Sequence, residues 1–261
     1  MDLSWLNEAL LIRMVSTGLV VILVSWSVGA FGPLVGGALA GLPMVLGPAF
    51  FFLSREASAD FVAITATYSL ISLCATQCFV LTYMAAARRL SAAAALALSV
   101  LAWMLTALLC RQLPPLPWLG LALFIALTGM ALHASRHFAP PSAKSAGKAG
   151  WGTLLMRGTL AGMLVAAITT SSHWLGASSA GILLAFPIGY TVIATTIHQK
   201  MGEHQVIHTL RSALLGGCSL AAFCLALALL ATRTPPWAAL SLATLAAVLV
   251  TTALVLRNRR K

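Results

Sequence analysis

Nine stretches of about 20 residues are apolar enough to be membrane spans, and no Asp or Glu falls inside any of them. A hydrocarbon layer about 30 Å thick takes about 20 residues of α-helix to cross, and backbone in that layer must satisfy its own polar groups. The chain is therefore expected to be an all-α polytopic membrane protein with nine transmembrane helices. The stretches are 9–30, 34–53, 61–87, 92–110, 116–135, 153–175, 178–197, 206–231 and 237–256. Between them lie Gly32-Pro33, Arg88-Arg89, Pro114-Pro115, Pro140-Pro141 and Pro235-Pro236, the dipeptides that punctuate helices. Composition agrees: 60% of residues are hydrophobic and 8% charged, where a soluble domain has about 25% charged. Disordered, collagen-like and coiled-coil chains are excluded on the same ground.

Nine spans put the two ends on opposite sides. The side shared with the C-terminus holds Arg88, Arg89, Arg136, Lys144, Lys148, Lys200, Arg257, Arg259, Arg260 and Lys261. The other side holds only Arg55, Arg111 and Arg233, with Asp2, Glu8, Glu56 and Asp60. Cytoplasmic loops are the basic ones. The C-terminus is thus expected in the cytoplasm and the N-terminus outside, in a plasma or inner membrane. The formal charge of +11 is read as this orientation signal, and no nucleic-acid partner is expected. Acidic Asp2 and Glu8, where a signal peptide needs a basic start, argue against a cleaved leader.

The chain matches itself at an offset of 144 residues. Aligning 10–112 with 154–256 needs no gap and gives 25 identities in 103 positions. The informative ones are Arg13 with Arg157, Gly18 with Gly162, Gly32 with Gly176, Gly37 with Gly181, Pro43 with Pro187, and Cys74 with Cys218. Each repeat holds four spans, and 116–135 lies between them without a counterpart. The expected units are repeat one over 1–112, a linker helix and cytoplasmic loop over 113–150, and repeat two over 151–261. An odd number of spans before the second repeat turns it upside down. Inverted-topology repeats are typical of secondary transporters, because two similar bundles of opposite sense give two arrangements of similar energy.

Two constellations are candidate substrate-binding residues. The first is the interrupted second span of each repeat: Gly37 and Pro43 in one, Ser178, Ser179, Gly181, Pro187 and Tyr190 in the other. A mid-helix proline frees a carbonyl, which membrane depth tolerates only against protein or water. Close helix packing by small residues explains the glycines and serines equally well. The second constellation is Arg13 and Arg157, each just inside the first span of its repeat. A guanidinium there is a candidate for holding a carboxylate, sulfonate or phosphate, or else it snorkels to the interface.

The remaining polar residues fit weaker readings. His173, beside Trp174, is a candidate for proton coupling or an interface anchor. His204 and His208 share a helix face without a third ligand, and Cys74 and Cys78 read as small apolar residues, so no metal site is expected. Span carboxylates, the usual relay of proton-coupled cation carriers, are missing, which favours an anionic or neutral substrate. No catalytic motif, nucleotide-binding loop or cofactor site is present, so the chain is not expected to be an enzyme. The expected function is secondary transport of a small anionic or polar metabolite. Its partners are the lipid bilayer and that small molecule; the oligomeric state is not readable. The alternatives are a lipid-handling protein and a non-transporting subunit of a membrane complex. A four-span duplication with Gly-rich, Pro-containing stretches is similar to one in a small-carrier family that handles sulfur-containing anions, but here no run of three glycines precedes Pro43 or Pro187. That likeness implies no site or substrate.

Overall fold

The computed structural model describes residues 3–30, 43–138 and 150–259, and all its regular structure is α-helix among those residues. In chain order the helices are α1 (Leu3–Ala30), α2 (Leu46–Glu56), α3 (Ala59–Ala87), α4 (Ala92–Arg111) and α5 (Pro117–Ser135). After the described chain resumes come α6 (Trp151–Thr170), α7 (Ser172–Leu184), α8 (Ile188–Met201), α9 (Glu203–Leu230) and α10 (Pro236–Arg259). Seven stretches are long and apolar enough to cross a membrane: α3, α4, α5, α6, α7 with α8, α9, and Pro236–Arg257 of α10. The first expected span is α1, whose apolar portion is Leu10–Leu23. The second, 34–53, lies partly outside the described residues, and α2 is the helix within its remainder. The chain is a helical, apolar bundle of the kind that resides in a lipid bilayer.

Local chemistry sets several helix ends. Ser58 accepts a hydrogen bond from the Phe61 N–H and Ser91 one from the Ala94 N–H, capping α3 and α4. The helices that begin at Ala59 and Glu203, and at Ala92 and Pro236, start at positions separated by the repeat offset of 144.

Helix α3 is the bundle's axis, buried along most of its length and packed against α4, α5, α7 and α9. The outer helices carry inward seams of small residues, broken on α4 by Trp103, and large outward faces. On α4, Ala95, Ser99, Trp103 and Ala107 are buried while Leu98, Leu101, Leu105 and Leu108 are exposed. On α10, Ala239, Ala243, Ala247 and Thr251 are buried while Leu242, Leu245 and Leu249 are exposed. The two seams occupy the same four positions 144 residues apart. Small residues between helices and leucines outside are what a lipid surround selects, since tails drive no leucine inward.

Helices α1 and α6, the first of each repeat, cross at close range. A Cβ on Gly162 would stand 2.3 Å from the Met14 carbonyl oxygen, and one on Gly18 would stand 3.2 Å from that of Gly158. Numbers rise on one helix as they fall on the other, so the pair is antiparallel. The contacts are also reciprocal, because 162 is the counterpart of 18 and 158 that of 14. Helices α3 and α9, the third of each repeat, are antiparallel too. Gln77 Nε2 donates to the Leu214 carbonyl oxygen, while Val62 and Leu227 share a small cavity near the other end of α3.

The stretch made of α7 and α8, the fifth of the seven, is broken in its middle. Helix α7 stops at Leu184, Ala185 to Pro187 are non-helical, and α8 starts at Ile188. Pro187 cannot donate an N–H into a continuous helix, which accounts for the break. A second irregularity lies upstream at Gly176, whose φ of 72° is a conformation that favours glycine.

Candidate functional site

Breaking a helix inside a bundle strands carbonyls at the end of its first half. Here α3 supplies the donors. Ser69 Oγ donates to the Gly181 oxygen at 2.9 Å, Ser72 Oγ to Ile182 at 3.1 Å and Thr76 Oγ1 to Ala185 at 3.1 Å. These three hydroxyls lie three and four residues apart, one helix face, and they follow α7 down to its end. Gly181 makes that approach possible, since a Cβ there would stand 2.3 Å from the Thr65 oxygen. Phe186, at the break, meets the ring of Trp103 edge-on with centroids 4.9 Å apart.

On the other side of the break lies a cavity of about 480 Å³. Both repeats line it: Val45 and Leu46 of the first repeat's second span, Leu73 and Thr76 from α3, and Arg157, Pro187, Tyr190, Thr209 and Ser212 from repeat two. The wall is largely aliphatic, with Leu184, Ile188, Ile193 and Leu220 also present. Its hydroxyls are oriented by backbone carbonyls. Tyr190 donates to Ala213, Thr209 to Gln205 and Ser212 to His208.

Arg157 is the only arginine or lysine lining this cavity among the described residues. Its Nε is buried without a hydrogen-bond partner, and no carboxylate lies within ion-pair distance among the described residues. One of its terminal nitrogens stands 3.5 Å from the place a Cβ on Gly189 would take, so the guanidinium sits against the first turn of α8. The Thr191 N–H bonds Pro187 and the Ile188 N–H bonds Phe186; the N–H groups of Gly189 and Tyr190 have no intrahelical acceptor. A cation and the positive end of a helix thus face the same space.

Arg13 is 7% exposed and differently placed. It pairs with Glu56, donates to the hydroxyls of Thr169 and Thr170 at 3.3 and 3.2 Å, and lies 5.9 Å from the centre of the Phe52 ring. It joins α1, α2 and α6 with its charge compensated. The counterpart of Glu56 in repeat two is Lys200, so the acid that neutralises Arg13 has no equivalent for Arg157.

Of the residues singled out from sequence, the cavity brings together Pro187, Tyr190 and Arg157. Pro43 is buried beside Met44, which lines the cavity, and its carbonyl accepts from the Gly47 N–H at 2.6 Å. Gly181 packs against α3, and Ser178 and Ser179 are half-buried on α7, none of them among the lining residues described. Gly37 lies outside the described residues. His173 is exposed with its ring 6.3 Å from that of Trp174, itself 86% exposed. All five cysteines are free, and no group of three metal-ligating side chains occurs among the described residues. Sequence reasoning passed over Ser69, Ser72, Thr76, Thr209 and Ser212. Only the first three carried a readable signal, hydroxyls repeating on one helix face. The chain matches no protein-family model, no curated protein and no solved structure.

Proposed function

We propose that the protein is a secondary carrier that moves a small anion by alternating access between two inverted four-helix repeats joined by α5. The observation that carries this reading is Arg157, an uncompensated cation in a cavity lined by both repeats at a broken helix. Broken helices whose N-termini face a midplane site are the recurrent way carriers bind charged substrates. The antiparallel, reciprocal crossing of α1 and α6 supports inversion, because a two-fold axis relating antiparallel spanning helices lies in the membrane plane. The ten-to-three distribution of basic loop residues supports a cytoplasmic C-terminus in a plasma or inner membrane.

In this reading Arg157 holds the anionic group, the first turn of α8 adds its N–H groups, and the aliphatic wall takes the apolar remainder. Arg13 with Glu56, Thr169 and Thr170 closes contacts between α1, α2 and α6. The site residues are Arg157, Pro187 and Tyr190, with Gly181, Ser178 and Ser179 on the approach, and Pro43 and Gly37 are the repeat-one counterparts of Pro187 and Gly181. Titration calorimetry of the detergent-purified chain with hexane-1-sulfonate and benzenesulfonate tests the site. A charge-assisted hydrogen bond contributes about 1.5–3 kcal/mol, so Arg157→Gln should weaken binding about 10- to 150-fold. Affinity unchanged by that substitution, in a variant that remains monodisperse, refutes the assignment.

One observation favours lipid handling as a second reading: Ser212 and Gly216, on the cavity rim, are exposed within the membrane-length helix α9. Competition of lysophosphatidate against hexane-1-sulfonate separates the two, since a lipid site prefers the long acyl chain by orders of magnitude.

A further inference from the structure

We infer that the protein is an exchanger of singly charged anions: the site crosses between its two openings with a monovalent anion aboard and stalls when empty. This rests on the carrier reading above.

The inference comes from the charges that face the site. Arg13 contributes no free charge, because Glu56 compensates it. Arg157 contributes one, and no described residue offsets it: Tyr190 donates its hydroxyl to Ala213, and Thr76, Thr209 and Ser212 are neutral. His208, one residue before Thr209, is exposed and in its charged form would only add to the positive sum. Thus the empty site is a lone cation inside an aliphatic wall.

A carrier changing sides passes through an arrangement closed to water at both ends. A lone ion in that arrangement has lost its hydration without a counter-charge, which is the expensive case. A guanidinium cannot escape the penalty by releasing its proton, whereas a carboxylate or imidazole can be neutralised. What removes the charge is a bound anion. One negative charge makes the site neutral; two leave it charged with the opposite sign and restore the penalty. The favoured passenger carries one carboxylate or sulfonate and an apolar part that suits the walls formed by Leu46, Leu73, Ile188 and Ile193. Return of the site then requires a second such anion from the far side.

The test uses the purified full chain in vesicles of neutral phospholipid, with isotopically labelled hexane-1-sulfonate as the probe. This sulfonate is monovalent throughout the working pH range and does not leak across lipid as a neutral acid. Uptake should be on the order of 10²-fold faster into vesicles preloaded with unlabelled hexane-1-sulfonate than into empty vesicles, the factor that a guanidinium at mid-membrane implies on the insertion scale. Preloading with hexane-1,6-disulfonate should give no acceleration. An imposed potential should leave the exchange rate unchanged, because like charges cross in both directions. Arg157→Lys should still bind the sulfonate but lose part of the acceleration, because a desolvated ammonium can release its proton and let the site return empty. Arg157→Gln should lose it, its residual uptake being equal with and without preloading. The wild-type comparison decides the question even where the Gln variant fails to purify. Calorimetric binding with uptake indifferent to preloading overturns exchange and leaves the anion site standing. Neither binding nor uptake overturns both.

Discussion

Gly181→Ala is a small perturbation whose effect follows from a few distances. The new methyl would stand 2.3 Å from the Thr65 carbonyl oxygen, 2.8 Å from Tyr68 Cβ and 3.1 Å from Ser69 N. Two of these neighbours are backbone and cannot rotate away, so α7 must retreat from α3 by about 1 Å to reach ordinary van der Waals separation. That retreat stretches the bonds from Ser69 Oγ to Gly181 and from Ser72 Oγ to Ile182, now 2.9 and 3.1 Å. Overpacking costs about 1–3 kcal/mol, and an interhelical hydrogen bond in a membrane protein contributes about 0.6–1.7 kcal/mol. The expected destabilisation is about 2–5 kcal/mol, measured by reversible SDS unfolding followed through tryptophan fluorescence. Gly189→Ala is the control: its methyl would meet only an Arg157 terminal nitrogen at 3.5 Å, so stability should stay within about 1 kcal/mol of wild type. Ser69→Ala should destabilise the wild type and matter less in the Gly181→Ala background, since the bond it removes is already strained there. A Gly181→Ala protein within about 0.5 kcal/mol of wild type refutes the tight α3–α7 seam and the hydroxyl ladder with it.

Glu56→Gln should destabilise by about 1–3 kcal/mol in the same assay, less than for a fully buried pair because Glu56 is itself exposed, and adding Arg13→Met should recover most of the loss. Pro187→Leu allows α7 to run on into α8, so binding of hexane-1-sulfonate should fall at least about tenfold while the protein remains monodisperse by gel filtration. A reporter fused after Lys261 should read cytoplasmic and one before Asp2 external; both on one side would remove the inverted-repeat argument.

The helical architecture was legible in the apolar runs because membrane depth leaves the backbone few other choices. The break was legible too, for Pro187 dictates it whatever surrounds it. That Arg157, Pro187 and Tyr190 meet in one cavity was half-legible: repeat symmetry marked the first two and side-chain polarity the third, but their convergence depends on how α6 lies against α8. The divergence of the two arginines was not anticipated. Glu56 sits 43 residues from Arg13 and reads as an outer-loop charge until the fold brings α2 beside α1. The α1–α6 crossing has its own sequence signal in Gly158 and Gly162, four residues apart and small, which carry the helix-association pattern. The hydroxyls of α3 were overlooked because buried serine and threonine are ordinary in such helices and become informative only once a facing carbonyl lacks its partner.

The placement of Glu56 opposite Lys200 bears on how such a molecule arises. A dimer of two identical half-length chains, one inserted upside down, would have to give both arginines the same neighbour. Both would be neutralised and the cavity left without a cation, or neither would be and the bundle would hold two uncompensated charges. Fusing the halves through the unpaired helix α5, which Gln77 ties in by donating to Thr128, frees the two copies to diverge. One arginine becomes a fastener and the other keeps an open valence. An asymmetry of this kind is open to two fused halves and closed to a symmetric pair.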